Sequence, residues 1–497
     1  MGLIKAHFWG GVVQGLRRSL RFWGALALGL AIMAPTLALS LNGAAPAADV
    51  GRAVPLVFLL GGVGMAFVAF GFAVLTRRFN HSGSAYALVG ATLGARAGFF
   101  SGFALAGYYL FSTICTVAAA GLFIQSFLDS IGVHNVPWLL LGVLSAVVAA
   151  WLSTRDTRSA SRVLLVMEGL GIVLVTALTI TIFARIGAGS APDHQTVSWT
   201  VFQLPAHTPF STLGAAVVFA CLSWAGFEGI ATLGEETTNA RRNIPLALLG
   251  SILLTLPLFV IVMVAESNGF GASAAGAAKF AGSSTPLGDL AQSFVGEWAA
   301  RLLLFVAAAS AFASLLGSCT AASRMLFAFS RDGLGPSWLS RLSRTGTPAR
   351  AAIASLVVAV IVNAAMAING TGSTSVYFYY ATIGVLCLLV AYAMVGIAAA
   401  SQLVRTKRIV VIGAIPALIG SAFAGYIFYI QSTGQSSPYN TFPYYAGAWC
   451  IAGLLIVLVS PGLASRIGAK LARAELGDAA EAEVPPGHDH TTEGSVS

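Results

Sequence analysis

The chain has 497 residues, 57% of them hydrophobic and only 9% charged, with a formal net charge of +9. Soluble globular domains carry roughly 25% charged residues, so the composition excludes a water-soluble fold and requires a polytopic membrane protein. The apolar runs are roughly twenty residues long, as a spanning helix needs, and not the alternating segments of about ten that build a barrel.

Residues 1–21 hold Lys5, Arg17, Arg18 and Arg21 and no compact apolar core ahead of small residues, so no cleavable leader is expected. About twelve spans follow, near 22–42, 54–76, 97–128, 136–154, 162–186, 210–233, 244–267, 294–329, 349–369, 375–402, 408–431 and 442–461. With both termini on one side, only Arg52, Arg185, Lys279 and Arg301 of the 27 Lys and Arg fall on the other. The positive-inside rule then makes both termini cytoplasmic in the plasma (inner) membrane. The basic charge lies between spans, so the expected surroundings are lipid and a small solute, with no nucleic acid. Residues 462–497 read as a cytoplasmic tail, disordered for want of apolar residues.

Several chemistries find no support. The five cysteines stand singly in apolar spans, and His488 and His490 in the tail are an incomplete ligand set, so no metal or cofactor is expected. Phosphate loops, GxSxG and HExxH are missing, which argues against an enzyme. No loop is long enough to fold as a receptor domain.

Two carboxylates lie well inside spans, where a charge is expensive and marks an ion or solute path. Glu168 sits about 9 Å into the fifth span at 1.5 Å per residue. Glu228 lies in Phe219-Ala-Cys-Leu-Ser-Trp-Ala-Gly-Phe-Glu-Gly229, where Gly226 and Gly229 weaken the helix. Helices broken at the bilayer midplane are how many secondary transporters hold solute. In the next loop, Glu235 and Glu236 face Arg241 and Arg242, as inward-gate ion pairs or as a solvated loop. Asn243 and Pro245 predict a helix start, and Arg331-Asp332-Gly333 a helix stop.

Three stretches resemble the amino acid–polyamine–organocation superfamily of permeases. Trp224-Ala-Gly-Phe-Glu228-Gly…Gly234-Glu-Glu…Asn239-Ala-Arg-Arg-Asn-Ile-Pro245 is similar to its GFE…GEE…NPRRNIP run, with Ala240 where Pro is usual. Ala321-Ala-Ser-Arg324…Arg331-Asp-Gly333…Pro336-Ser-Trp338-Leu…Thr347-Pro348 resembles ASR…RDG…P-W-L…TP. Ser82-Gly-Ser-Ala-Tyr86…Leu93-Gly-Ala-Arg-Ala-Gly-Phe99 resembles GGAY…LGxRAGF.

The resemblance implies two inverted five-helix repeats (about 22–186 and 210–402), two extra helices (about 408–461), and discontinuous first and sixth spans. Pro35 breaks the first span, since it cannot donate and clashes with the preceding turn. Gly226 loosens the sixth. Substrate-binding positions are then Ile32, Ala34, Pro35, Thr36, Leu222, Ser223, Trp224, Ala225 and Gly226. Amides at the breaks suit a carboxylate; free carbonyls of Ile32, Leu222 and Ala225 suit an ammonium. Pro35 stands where the family often has a donor, which keeps an amine without a carboxylate in play. Trp224 and Phe227 are candidate gate rings.

The resemblance also implies a coupling ion. Some relatives carry Lys at the place of Glu168, beside the sodium site of sodium-coupled members. Glu168 and Glu228 are therefore candidate proton carriers, a proton gradient being the energy source. The alternatives are structural: Glu168 pairing with Arg162 or a backbone amide, and Glu228 pinning the broken helix. Hydroxyls of Ser314, Ser318 and Thr320 leave sodium open. The expected function is proton-coupled amino acid import by alternating access, or else a polyamine or ethanolamine-type amine permease or an amino acid exchanger.

Overall fold

The structure is a computed structural model describing residues 21–79, 84–154, 158–233, 237–343, 347–405, 413–433 and 435–476. Among these the chain is helical throughout. The first half contains α1 (Phe22–Met33), α2 (Pro35–Leu41), α3 (Ala44–Val50), α4 (Val54–Arg78), α5 (Ala85–Leu93), α6 (Ala95–Ser130), α7 (Trp138–Ser153) and α8 (Arg158–Gly187). The second contains α9 (Phe210–Trp224), a 3-10 segment (Phe227–Leu233), α10 (Ala240–Phe270), α11 (Ala274–Gly282), α12 (Pro286–Phe294), α13 (Glu297–Arg331), α14 (Ala349–Ile368) and α15 (Ser373–Arg405). α16 (Ile415–Thr433), α17 (Phe442–Val459) and α18 (Pro461–Leu476) follow.

Eleven stretches among the described residues are long and apolar enough to cross a membrane, and α7 is a shorter apolar helix at the remaining expected position. The third crossing helix of each half is long, 36 residues in α6 and 35 in α13. These two pack along each other, and α15 packs along α6, forming the centre of the molecule. The interruptions fall in the first crossing segment of each half, at Ala34 and at Ala225–Gly226. α1 packs on the 3-10 segment and α2 on α9, so the two broken segments face each other.

The ends of the helices sort by charge. Arg77 and Arg78 close α4, Arg331 closes α13 and Arg405 closes α15, on what we call the arginine-rich side. At the opposite side the four remaining cations are each tied down. Arg185 donates to the Phe294 carbonyl, Lys279 pairs with Asp193, Arg301 with Glu297, and Arg52 bonds the Thr200 carbonyl.

Three expectations need correction. α10 begins at Ala240 after Asn239, whose φ of 49° is left-handed. Asn243 is therefore inside the first turns, where its amide donates back to the Thr238 carbonyl, and Pro245 lies within the helix. The tail does not start unstructured: Pro461–Leu476 is α18, which buries Ala464 and Ile467 against α5 and α6. Its Lys470 reaches Asp332 at 2.9 Å, beside the Arg331–Asp332 contact at 3.1 Å. Burial pushes the Asp332 carboxyl up, but bonds and charge from Arg331 and Lys470 outweigh it and hold it below its ordinary 3.8. The number of expected crossings was legible, but a surface helix whose apolar face is this narrow was not. The 1–20 arm, the Glu235 and Glu236 pairs, and the tail with His488 and His490 lie outside the described residues.

Candidate substrate and coupling site

The first break is built around Ala34. Its φ of 48° and ψ of 56° are left-handed, a conformation that costs an L-residue roughly 1–2 kcal/mol. Pro35 then occupies the first helical position, where its missing N–H is tolerated. The ladder resumes only with Ala38 donating to the Ala34 carbonyl. Two amides before it are left to other partners. Thr36 N–H donates to Glu168 Oε1 at 2.7 Å, and Leu37 N–H donates to Ser310 Oγ at 3.1 Å. Ile32 lies in the last turn of α1.

Close approach of α8 makes the first bond possible. Gly171 is one turn beyond Glu168 and therefore on the same helix face. A Cβ at Gly171 would lie 2.3 Å from Thr36 Oγ1. Glycine lets α8 lie against α2, and Glu168 reaches the amide. Glu168 is 3% exposed; its Oε2 and the Thr36 hydroxyl have no protein partner among the described residues. The Ser310 and Thr36 side chains also lie close to this carboxyl.

At the second break α9 ends at Trp224, and Gly226 takes a φ of 103°, which favours glycine. Glu228 Oε2 accepts from Gly226 N–H at 2.9 Å and from the Tyr392 hydroxyl at 2.6 Å. The carboxylate thus pins the turn to α15. Leu222, expected to offer a free carbonyl, accepts from Ala225 N–H at 3.2 Å. Ser223 Oγ accepts from Asn42 Nδ2 at 2.9 Å, and the Tyr377 hydroxyl donates to Asn42 Oδ1 at 3.0 Å. This chain ties the end of α2 to α9 and α15.

The gate candidates are packed. Trp224 is fully buried among Phe58 and Phe259, and its indole N–H donates to Thr255 at 2.8 Å. Phe227 meets Phe72 and Tyr392 edge-on. Ala34, Pro35, Thr36, Ser223 and Ala225 are also buried, so the breaks are closed to solvent in this conformation. Of the hydroxyls held open for sodium, Ser318 and Thr320 donate to carbonyls of their own helix.

The structure therefore joins Thr36 with Glu168, and Gly226 with Glu228, but in two separate bond networks. Sequence reasoning missed Ser310, Asn42, Tyr377 and Tyr392. Each is an ordinary polar residue in an apolar helix or, for Asn42, at the end of one, and only the packing of α13, α2 and α15 reveals its partner.

A family model described as amino acid permease matches residues 20–459. The chain is 25% identical over 390 residues to the branched-chain amino acid permease BcaP of Lactococcus lactis, covering 73% of this chain and 80% of that one. It is 28% identical over 369 residues to the mitochondrial cationic amino acid transporter 3 of Arabidopsis thaliana, covering 70% of this chain and 58% of that protein. It is also 25% identical over 245 residues to the low-affinity putrescine importer PlaP of Escherichia coli, about half of each chain (49% and 52%). With the family model spanning nearly the whole chain, all-helical and twice broken, this protein belongs to the amino acid permease family of the amino acid–polyamine–organocation superfamily.

Proposed function

We propose that this permease imports amino acids across the plasma membrane, with both termini cytoplasmic, by alternating access driven by a proton gradient. The observation that carries the reading is the 2.7 Å bond from Thr36 N–H to Glu168 Oε1. That amide is the donor a substrate carboxylate would use at the first break. In the closed form a carboxylate of the protein holds it instead.

Competition at one donor gives a coupling scheme. When Glu168 takes a proton it becomes a weaker acceptor, and Thr36 N–H is released. An entering amino acid presents its own carboxylate to that N–H, with Leu37 N–H and Ser310 beside it. Loss of the proton on the other side restores Glu168 as the acceptor and expels the substrate carboxylate. Glu228, by contrast, accepts from two groups and acts as the pin of the second break. The residues at Ala34, Ala225 and Gly226 are small and would leave room for a sizeable apolar side chain once the breaks open.

An amine carrier is the second reading. It is favoured by the missing donor at Pro35 and by the fact that both nearby amides are already satisfied within the protein. Uptake of a panel of labelled amino acids and diamines into proteoliposomes separates the two. Competition for uptake by amino acids but not by their decarboxylated amines supports the first reading; the reverse supports the second.

A further inference from the structure

A third buried carboxylate, Glu266, takes no part in either break. It lies in α10, 24 residues beyond Arg242, about 36 Å along the helix at 1.5 Å per residue. That places it toward the side opposite the arginine-rich one. It is fully buried, and neither carboxyl oxygen has a protein hydrogen-bond partner among the described residues.

Met263 of α10, Phe280 of α11 and the Glu266 carboxyl converge on Gly43, where the chain leaves α2. A Cβ at Gly43 would lie 3.1 Å from Glu266 Oε2, 2.9 Å from Met263 Sδ and 2.5 Å from the Phe280 ring. The glycine therefore allows the chain leaving α2 to close directly over the carboxyl. Charged groups on the surrounding elements are engaged elsewhere. On α8, Arg185 donates to Phe294 and Glu168 accepts from Thr36; on α11, Lys279 pairs with Asp193; on α12, Asp289 accepts from Ser283. Glu228 is held by Gly226 and Tyr392, and the arginines of α4 and α10 lie at the far ends of those helices.

An ionised carboxylate so placed would lose its hydration and gain neither a cation nor a donor. Isolated buried charges of this kind neutralise instead. We propose that Glu266 is a second proton-binding carboxyl, held as the neutral acid while the end of α2 covers it. When that end moves away, Glu266 meets water and titrates from the side opposite the arginine-rich face. Its proton then accompanies the opening and closing of α2, separately from the exchange at Glu168. The inference rests on the proton-coupled reading above, but its first test does not.

Infrared spectra of the lipid-reconstituted protein at neutral pH read carboxyl protonation directly, without transport. Wild type should show a protonated-carboxyl carbonyl band that Glu266→Gln removes and Glu168→Gln leaves in place. A spectrum unchanged by Glu266→Gln, at neutral pH, overturns the proposal whether or not transport uses protons. Glu266→Leu, also neutral, provides the same comparison should the Gln variant not fold. The second test is solute exchange with pH varied only on the side opposite the arginine-rich face. Wild-type exchange should carry a pH dependence from both carboxyls, approaching roughly tenfold per pH unit for each obligatory proton, and Glu266→Gln should be shallower, keeping only the share set by Glu168. Equal pH profiles for the two proteins would also overturn it.

Discussion

At the scale of single residues, the proposed coupling turns on the bond between Glu168 and Thr36. Glu168→Gln keeps the shape but cannot exchange a proton for a charge. Counterflow of substrate across proteoliposomes should persist, while accumulation driven by a pH gradient should be lost. At the second break the Tyr392 hydroxyl gives Glu228 one of its two bonds. A hydrogen bond to a buried charged group is worth about 1.5–3 kcal/mol. Tyr392→Phe should therefore lower the thermal-inactivation midpoint of the solubilised protein, and an unchanged midpoint would show that the pin carries no weight. Both glutamates were legible in the sequence because charge at membrane depth is rare. Their partners were not: Thr36 lies 132 residues from Glu168 and Tyr392 lies 164 from Glu228, separations that local pattern cannot bridge.

At the scale of helices, the approach of α8 to α2 depends on Gly171. The Cβ of Gly171→Ala would meet Thr36 Oγ1 at 2.3 Å and Cγ2 at 2.7 Å. Overpacking of this kind costs about 1–3 kcal/mol, and here it would also part Glu168 from its amide. The variant should lose gradient-driven accumulation, and adding Thr36→Ala, which removes both clashing atoms, should restore much of the lost stability. Additive losses in the double variant would show that the two sites do not touch. The weak point at Gly226 was readable from residue chemistry, and the resemblance pointed to its counterpart at Pro35, since proline and glycine act on their own backbone.

The seat of α18 shows the other limit of sequence reading. It depends on Asp332, whose carboxyl is held below 3.8 in the folded chain. A depressed carboxylate stabilises above its unfolded value and loses that contribution as pH falls through the lower folded one. Protease cleavage within α18 should thus be steady from neutral pH down to about pH 4 and rise below it. Lys470→Ala should raise cleavage modestly at neutral pH, since the exposed half of such a pair limits it to about 1 kcal/mol or less. The basic residues of this segment had suggested only a cytoplasmic tail. The apolar face that docks it was too short to register beside the long spans.

Across the whole molecule, two facing broken segments are held by long helices, each break closed by a carboxylate from within the protein. Glu228 is bonded by Gly226 and Tyr392, and Glu168 by the Thr36 amide; the proposal gives anchoring to the first and proton exchange to the second. Composition, span count and charge sorting were sufficient to anticipate a polytopic helical protein, because the bilayer restricts a chain of such hydropathy to helices; the facing broken segments were implied by the resemblance. Which solute fits the closed breaks depends on side-chain packing that no linear pattern records. The most direct test of the coupling claim is labelled amino acid uptake into proteoliposomes without sodium, with and without an inward proton gradient. Accumulation above equilibrium only with the gradient, abolished by Glu168→Gln, is the predicted result. Accumulation that follows a sodium gradient and ignores pH would contradict it.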